Sequence, residues 1–145
     1  MSKAEQKVAV VTASDSGIGK ASAIMLAEQG YDIGITWRSD EKGAQDTAER
    51  VRALGRRAEI QHLDLADPQE GGKALEALIS KLGRIDALVN NAGTNDKSPF
   101  LETSFDSWRK VFTVDVDGAF ICGQIAARHM VEQGEGGRIV NITSV

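Results

Sequence analysis

The sequence of 145 residues has little cysteine, histidine, proline and aromatic residue, and it has no excess of positive charge. Its one cysteine, Cys122, has no partner within the chain, which excludes a small domain held together by internal disulfides. The two histidines come with no cysteine cluster, so no pattern indicates a metal site. The net charge of −4 argues against nucleic acid and anionic membranes as partners, because both attract basic patches.

Signals for membranes and secretion are also missing. No apolar run reaches the ~20 residues that a membrane-spanning helix needs. The first residues are a short polar stretch that leads into a strand, and they lack the charged and then apolar pattern of a secretory leader. Together with the single cysteine, this predicts a cytoplasmic protein.

What is present is typical of one soluble globular domain over residues 1–145, with 41% hydrophobic and 26% charged residues. Short β-branched runs alternate with longer stretches of helical periodicity. The predicted strands cover 7–12, 31–37, 57–65, a part of 85–93, and 137–143. The predicted helices cover 17–30, about 40–54, 67–83 with Asp67 as cap and Pro68 at the first position, and about 104–132.

This alternation predicts an α/β fold with a doubly wound parallel sheet in three layers, joined by right-handed crossovers. The first, fourth and fifth strands are continuous apolar runs, which indicates strands covered on both faces. In such sheets ligands bind beyond the carboxyl ends of the strands. The segments to consider are therefore those that follow each strand: TASDSGIG, WRS, DLAD, NNAG and TSV.

The stretch TASDSGIG joins a strand to a helix and resembles a dinucleotide-binding turn with Ala13 in place of the first glycine. A helix N-terminus offers free N–H groups to a phosphate, and Gly17 and Gly19 allow close approach. A P-loop is excluded, because Ser14 and Ala21 stand where that motif needs glycine and Ser/Thr. Taken alone, this stretch is equally compatible with an ordinary tight turn. We expect Ala13 at negative φ, because alanine is disfavoured in the left-handed region.

The end of the second strand bears on the type of nucleotide. A dinucleotide fold that binds NAD carries an acidic residue there, whereas an arginine suits the 2′-phosphate of NADP. This chain has Trp37, Arg38 and Ser39, and the first carboxylate is Asp40. NADP is thus favoured over NAD, although Arg38 could also be a solvated loop cation. Trp37 could shield an adenine edge or be a packing aromatic.

These motifs together resemble the short-chain dehydrogenase/reductase family, and within it the glucose-dehydrogenase-like and 3-oxoacyl-carrier-protein-reductase-like members. The resemblance covers the whole chain in order: the TGxxxGIG-like turn at 12–19, Asp64 after the third strand, NNAG at 90–93 and a strand ending at Thr143 and Ser144. It implies a Rossmann-type domain that binds NADP or NAD. NNAG after an apolar strand is the most specific of the four motifs.

The resemblance also implies roles for individual positions. Ser144 matches the catalytic serine that hydrogen-bonds the substrate oxygen. The other positions form the implied cofactor site: Thr12, Ser14, Ser16, Gly17, Ile18 and Gly19 around the pyrophosphate, Trp37, Arg38 and Ser39 at the ribose, Asp64 and Leu65 at the adenine, and Asn91, Ala92 and Gly93 along the adenosine ribose.

Two departures from the family pattern stand out. Asp115, in VDVDG, occupies the position of an asparagine that helps to hold a water in a proton relay, and we expect Asp115 to keep a catalytic relay role. The alternative is a helix carboxylate that faces solvent or pairs with a cation. The family's Y-x-x-x-K pair is missing, since Tyr31 is the one tyrosine. We therefore expect the sequence to be the N-terminal portion of a longer protein, apparently truncated after strand five.

The resulting interpretation is an NAD(P)-dependent oxidoreductase that transfers hydride between a nicotinamide and a secondary alcohol or ketone. The alternatives are a dinucleotide-binding fragment or catalytically silent homologue, and a scaffold that binds nothing. The resemblance implies a homo-oligomer, a dimer or homotetramer, through the long helix. Four residues of that helix could serve either the sheet or a neighbouring subunit: Ala119, Ile121, Ala126 and Met130.

Overall fold

The computed structural model describes residues 6–144, and their fold is built on a five-stranded parallel sheet. The strand order is β3-β2-β1-β4-β5, so the chain winds outward from β1 in one direction and then in the other. This confirms the predicted doubly wound sheet. The strands are β1 (Val8–Val11), β2 (Asp32–Trp37), β3 (Ala58–His62), β4 (Ala87–Asn90) and β5 (Arg138–Asn141).

Helices cover both faces of the sheet. The elements between the strands are α1 (Gly17–Glu28), α2 (Glu41–Ala53), α3 (Pro68–Leu82), a 3-10 turn (Phe100–Glu102), α4 (Phe105–Phe112), a π turn (Thr113–Asp117) and α5 (Gly118–Gln133). One core lies between the sheet and helices α1 and α2, and the other lies between the sheet and helices α3 and α5. Side chains of β1 alternate between the two cores, with Val10 in one and Val11 in the other.

The helix boundaries follow the signals in the sequence. The Asp40 carboxylate accepts the N–H of Gly43 at 2.8 Å, and the Asp67 carboxylate accepts the N–H of Glu70 at 3.2 Å. Helix α3 ends at Gly83, whose φ of 86° is a left-handed cap. The capping prediction for α3 is therefore confirmed.

The long helix predicted over 104–132 is not a regular α-helix throughout. It begins with α4, widens into the five-residue π turn, and continues as α5 to Gln133. A π turn has i→i+5 hydrogen bonds and often marks a functional position. Asp115 lies at the centre of this wider turn.

The prediction of burial on both faces fails for β5. All four of its residues are exposed, with Ile139 at 41% and Val140 at 48%. The reason is its place in the sheet, because β5 is the outer neighbour of β4 among the described strands and α5 covers β4 instead. Strand β3 also ends earlier than predicted, at His62, although Leu63 and Leu65 beyond it are buried in the core.

Candidate functional site

A cleft of about 190 Å³ opens at the carboxyl ends of the strands, where the sequence predicted a ligand site. It brings together the β1–α1 turn, the end of β2, the segment after β3, the segment after β4 and the π turn. The residues lining it are Ala13, Asp15, Thr36, Trp37, Arg38, Ser39, Leu63, Asp64, Leu65, Ala92, Gly93 and Val114.

Ala13 adopts a φ of +50°, so the expectation of a negative φ is wrong. Hydrogen bonds hold this left-handed residue on both sides. Its N–H donates to Thr36 Oγ1 at 2.9 Å, and its carbonyl accepts Asn91 Nδ2 at 3.1 Å. A Cβ on Gly19 would lie 2.2 Å from the same carbonyl oxygen, so the helix start lies directly against residue 13. The turn thus needs the conformation that glycine would adopt freely, and alanine is held in it by its neighbours.

Thr12 and Ser14 are buried and act within the turn itself. Thr12 Oγ1 accepts the N–H groups of Asn91 and Ala92, each at 2.9 Å. Ser14 Oγ donates to the carbonyl of Val11 at 2.7 Å. These bonds fix the turn to β1 and to the NNAG segment. A contact of either hydroxyl with a pyrophosphate stays a prediction.

The start of α1 is open to solvent. Ser16, Gly17 and Ile18 are exposed, while Gly19 is buried against the turn. The Ser16 side chain makes no capping bond, and the first N–H groups of a helix have no partner within the helix. This helix end can therefore donate several N–H groups to an anion outside the protein.

The end of β2 forms one wall of the cleft. Trp37 packs edge-on against His62 with ring centroids 4.7 Å apart, and His62 Nε2 bonds the Arg38 carbonyl at 3.0 Å. This supports the packing interpretation of Trp37. The side chains of Arg38 and Ser39 are exposed, which agrees with both readings of Arg38, a phosphate ligand or a solvated cation.

The segment after β3 also lines the cleft. Leu65 is buried in the core, and Asp64 is half-buried. Asp64 Oδ1 accepts the N–H of Ala66 at 2.9 Å, which turns the chain toward α3. Asp64 therefore holds its own loop, and a role toward adenine stays a prediction.

The NNAG segment locks the centre of the sheet. Asn91 Nδ2 donates to the carbonyls of Thr12 and Ala13, each at 3.1 Å. Asn90 Nδ2 donates to Asn141 Oδ1 at 3.0 Å and to the Ala119 carbonyl at 3.3 Å. The two successive asparagines at the end of β4 thus have separate roles. Asn91 holds the β1–α1 turn, and Asn90 bonds β5 and α5. Ala92 and Gly93 then line the cleft.

Asp115 takes part in none of the ion pairs among residues 6–144, and its carboxylate bonds the backbone instead. It is half-buried, and its Oδ1 accepts the N–H of Thr94 at 2.7 Å. A Cβ on Gly93 would lie 3.4 Å from the same oxygen. The carboxylate thereby fixes the loop after β4 to the π turn, next to the cleft. Ser144 is exposed and follows β5, outside the described residues that line the cleft.

Several residues that shape or line the cleft were not predicted from the sequence. Thr36 holds Ala13 in the left-handed conformation, and its place at the end of β2, opposite the turn, was the available signal. Val114 and Asp15 line the cleft. Burial raises the pKa of Asp15, as does the nearby Asp40, while a bond to its own backbone and the charge of Arg38 act in the opposite direction.

Cys122 belongs to the core, as predicted. It is buried, and this burial raises the pKa of its thiol to about 11. Ala126 and Met130 are buried in the same core, and Ile121 packs against it. These helix residues therefore serve the sheet side.

Within residues 6–144, no helix is both long enough and apolar enough to cross a membrane.

The sequence was compared with known proteins. The model of the family described as short chain dehydrogenase matches residues 7–145. The chain belongs to this family. An uncharacterised oxidoreductase of Escherichia coli K12, YohF, is 68% identical over 139 residues, which are 96% of this chain and 55% of that protein. The chain thus spans about half the length of the curated relatives it matches.

Two solved structures are similar to the chain in both fold and sequence. An acetoin dehydrogenase from Enterobacter cloacae has a TM-score of 0.95 and 67% identity, covering 99% of this chain and 57% of that one. A short chain dehydrogenase from Burkholderia cenocepacia J2315, solved in complex with NADP, has a TM-score of 0.88 and 36% identity, covering 97% of this chain and 56% of that one. The family assignment and the Rossmann-type fold are therefore confirmed.

Proposed function

We propose that the protein is an NAD(P)-dependent oxidoreductase that transfers hydride between a nicotinamide and a secondary alcohol or ketone, with NADP preferred. The observation that carries the proposal is the cleft itself. It joins the β1–α1 turn, which leads into the open N-terminus of α1, with an exposed guanidinium and a carboxylate at the edge of the sheet where dinucleotides bind in this fold.

The residues present fit such a cofactor. The amides at the start of α1 suit the pyrophosphate, because N–H groups at a helix end favour an anion. Arg38, with the Ser39 hydroxyl beside it, suits a 2′-phosphate. The half-buried Asp64 and the buried Leu65 also line the cleft, and they would bound an adenine with one polar and one apolar residue.

The reaction needs a proton donor beside the substrate oxygen. The bound nicotinamide supplies or accepts the hydride. Ser144 donates a hydrogen bond to the substrate oxygen, where negative charge develops during reduction. Asp115 holds the Thr94 amide and orders the polar groups near the site. The resemblance to the family implies that the acid is the tyrosine of a Y-x-x-x-K pair, which these 145 residues do not contain.

The substrate class is supported by similarity to an acetoin dehydrogenase at 67% identity. Acetoin carries a hydroxyl and a carbonyl on neighbouring carbons. We propose a small hydroxy ketone or vicinal diol of this type as the substrate. We propose that the polar loop after β4, residues 94–100, contributes to the contact with this substrate.

The test is turnover by the full gene product with NADPH or NADH and acetoin, followed at the nicotinamide absorbance. Reduction of acetoin supports the enzyme. Cofactor binding without turnover on a panel of ketones and alcohols would instead identify a binding module, the alternative function. Ser144→Ala should lower turnover strongly and leave cofactor affinity unchanged.

The proposed assembly is a homo-oligomer, a dimer or tetramer. Five exposed apolar side chains are spaced three or four residues apart along α4, the π turn and the start of α5: Phe105, Trp108, Phe112, Val116 and Phe120. Trp108 and Phe112 stack with centroids 4.9 Å apart. A contiguous apolar stripe of this kind is costly in water, and a second copy of the helix would cover it.

Sedimentation velocity tests this assembly. Trp108→Glu should shift the protein to a smaller species, because the charge would enter the helix interface. The matched control is Met25→Glu, at an exposed apolar position on α1, which should leave the assembly intact. An unchanged size for Trp108→Glu would show that the stripe is not the interface.

A further inference from the structure

The cleft contains a negative charge that the proposed NADP preference does not account for. Asp15 lines the cleft together with Arg38, and it lies in the turn that leads to the open end of α1. A 2′-phosphate held by Arg38 would carry about two negative charges at neutral pH. It would therefore lie in a cleft that already holds a carboxylate.

The other aspartates at this edge are engaged in shaping the backbone. Asp40 accepts the N–H of Gly43, Asp64 accepts that of Ala66, and Asp67 accepts that of Glu70. Such bonds stabilise the negative charge against the N–H groups of a helix end or turn. Asp15 bonds its own backbone instead, so no neighbouring segment depends on its carboxylate among the described hydrogen bonds.

The electrostatic surroundings of Asp15 are unfavourable for a second anion. Partial burial and the nearby Asp40 raise its pKa, whereas Arg38 lowers it. The positive charge of Arg38 therefore acts on Asp15 within the cleft. A 2′-phosphate that binds Arg38 therefore meets the negative charge of Asp15 in the same cleft.

We propose that Asp15 is a specificity-determining residue, whose carboxylate repels the 2′-phosphate that Arg38 attracts, so that the cleft accepts both NADPH and NADH. This inference rests on the proposed function, since it requires that the cleft binds a nicotinamide dinucleotide. It assigns the opposing charges to two sides of the cleft, the β1–α1 turn and the end of β2.

The test is the ratio of NADPH to NADH dissociation constants, measured by calorimetry on the protein and on Asp15→Asn, which keeps the shape and removes the charge. We expect NADPH to bind about tenfold more tightly in the variant, and NADH to change by less than about threefold. Adenosine 2′,5′-bisphosphate and 5′-AMP, used as fragment probes, should show the same split. A purely structural role would weaken both nucleotides together.

The matched control is Glu49→Gln, which removes one negative charge from an exposed position on α2 and should leave the ratio unchanged. Asp15→Ser provides a second variant if Asp15→Asn is unstable. Binding of both nucleotides with an unaltered ratio in the Asp15 variants would overturn this inference and leave the proposed function intact. Binding of neither nucleotide to the unmodified protein would overturn both.

Discussion

At the residue scale, the decisive position is Ala13. An alanine at φ +50° carries a steric cost between its Cβ and the backbone, and the structure offsets that cost with bonds to Thr36 and Asn91. The sequence alone predicted the opposite sign of φ, because residue preference was the available signal. In the folded protein, two long-range hydrogen bonds outweigh this preference, and their partners meet only in the folded sheet.

Ala13→Gly should stabilise the protein, because glycine adopts this conformation without strain. We expect the free energy of unfolding to rise by about 0.5–1 kcal/mol, measured by urea denaturation. Ala21→Gly is the control, at an exposed position inside α1, and should destabilise by up to about 1 kcal/mol. A loss of stability for Ala13→Gly would mean that the alanine is not strained.

Arg38→Ala tests the other residue on which cofactor choice depends. Removal of the guanidinium should weaken NADPH binding about tenfold or more and change NADH binding little, because only NADPH carries the 2′-phosphate. Calorimetry with both nucleotides measures this. Equal losses for the two nucleotides would refute the assignment of Arg38.

At the element scale, the π turn between α4 and α5 is the feature that periodicity could not show. The apolar pattern predicted one continuous helix. The π turn is wider than an α-helical turn, but it follows α4 and leads into α5 without a gap, so the apolar pattern does not reveal it. The turn places Asp115 against the loop after β4. The contact with the Thr94 amide was likewise invisible in the sequence, because it joins segments 21 residues apart.

Asp115→Ala should impair turnover in the full gene product by between about tenfold and 100-fold and should alter its pH profile, because the loop beside the site loses its anchor. Asp115→Asn keeps an oxygen acceptor for the Thr94 amide and should restore most of the activity. The measurement is turnover over a range of pH with each variant. Unchanged turnover for Asp115→Ala at every pH would contradict a role in the relay.

At the scale of the whole molecule, the two ends of the sheet have different tasks. The carboxyl ends of the strands carry the cleft, whereas the amino ends are held by a charged cluster. Asp86 accepts the N–H of Val8 at 2.9 Å and bonds Arg84 at 2.7 Å, and Arg84 also bonds Glu135 at 2.7 Å. This cluster ties β1, β4 and the segment before β5 together.

Asp86→Asn should destabilise the protein at neutral pH by roughly 1–3 kcal/mol. Burial raises the pKa of Asp86, but the bonds from Arg84 and Val8 outweigh it and hold the pKa below 3.8. A carboxyl group whose pKa is lower in the folded than in the unfolded protein stabilises the fold at pH values above its unfolded pKa. This stabilisation is lost as the pH falls through the folded pKa. In urea denaturation between pH 7 and pH 3, the free energy of unfolding of Asp86→Asn should therefore fall less steeply with decreasing pH than that of the unmodified protein.

The exposed partner in this cluster supplies the control. Glu135→Gln should lower the free energy of unfolding by less than about 1 kcal/mol, because exposed ion pairs contribute little. If Asp86→Asn and Glu135→Gln lower the free energy of unfolding by similar amounts, the burial of Asp86 does not increase its contribution to stability.

Much of the molecule could be predicted from the sequence. The doubly wound parallel sheet, the caps of α3 and the edge of the sheet at which the cleft lies follow from apolar runs and from Asp67, Pro68 and Gly83, which act locally. Exposure of β5 and the left-handed Ala13 could not be predicted, because both depend on neighbours distant in sequence. The same holds for Thr36 and Asp15, whose importance lies in what faces them across the cleft.

The central claim is that the cleft at the carboxyl ends of the strands binds a nicotinamide dinucleotide. Calorimetry of the unmodified protein with NADPH and with NADH tests it most directly, with a thermal melt in each nucleotide as a second readout. We expect saturable heat and a raised melting temperature with both nucleotides, and tighter binding of NADPH. No heat and no thermal shift with either nucleotide would contradict it.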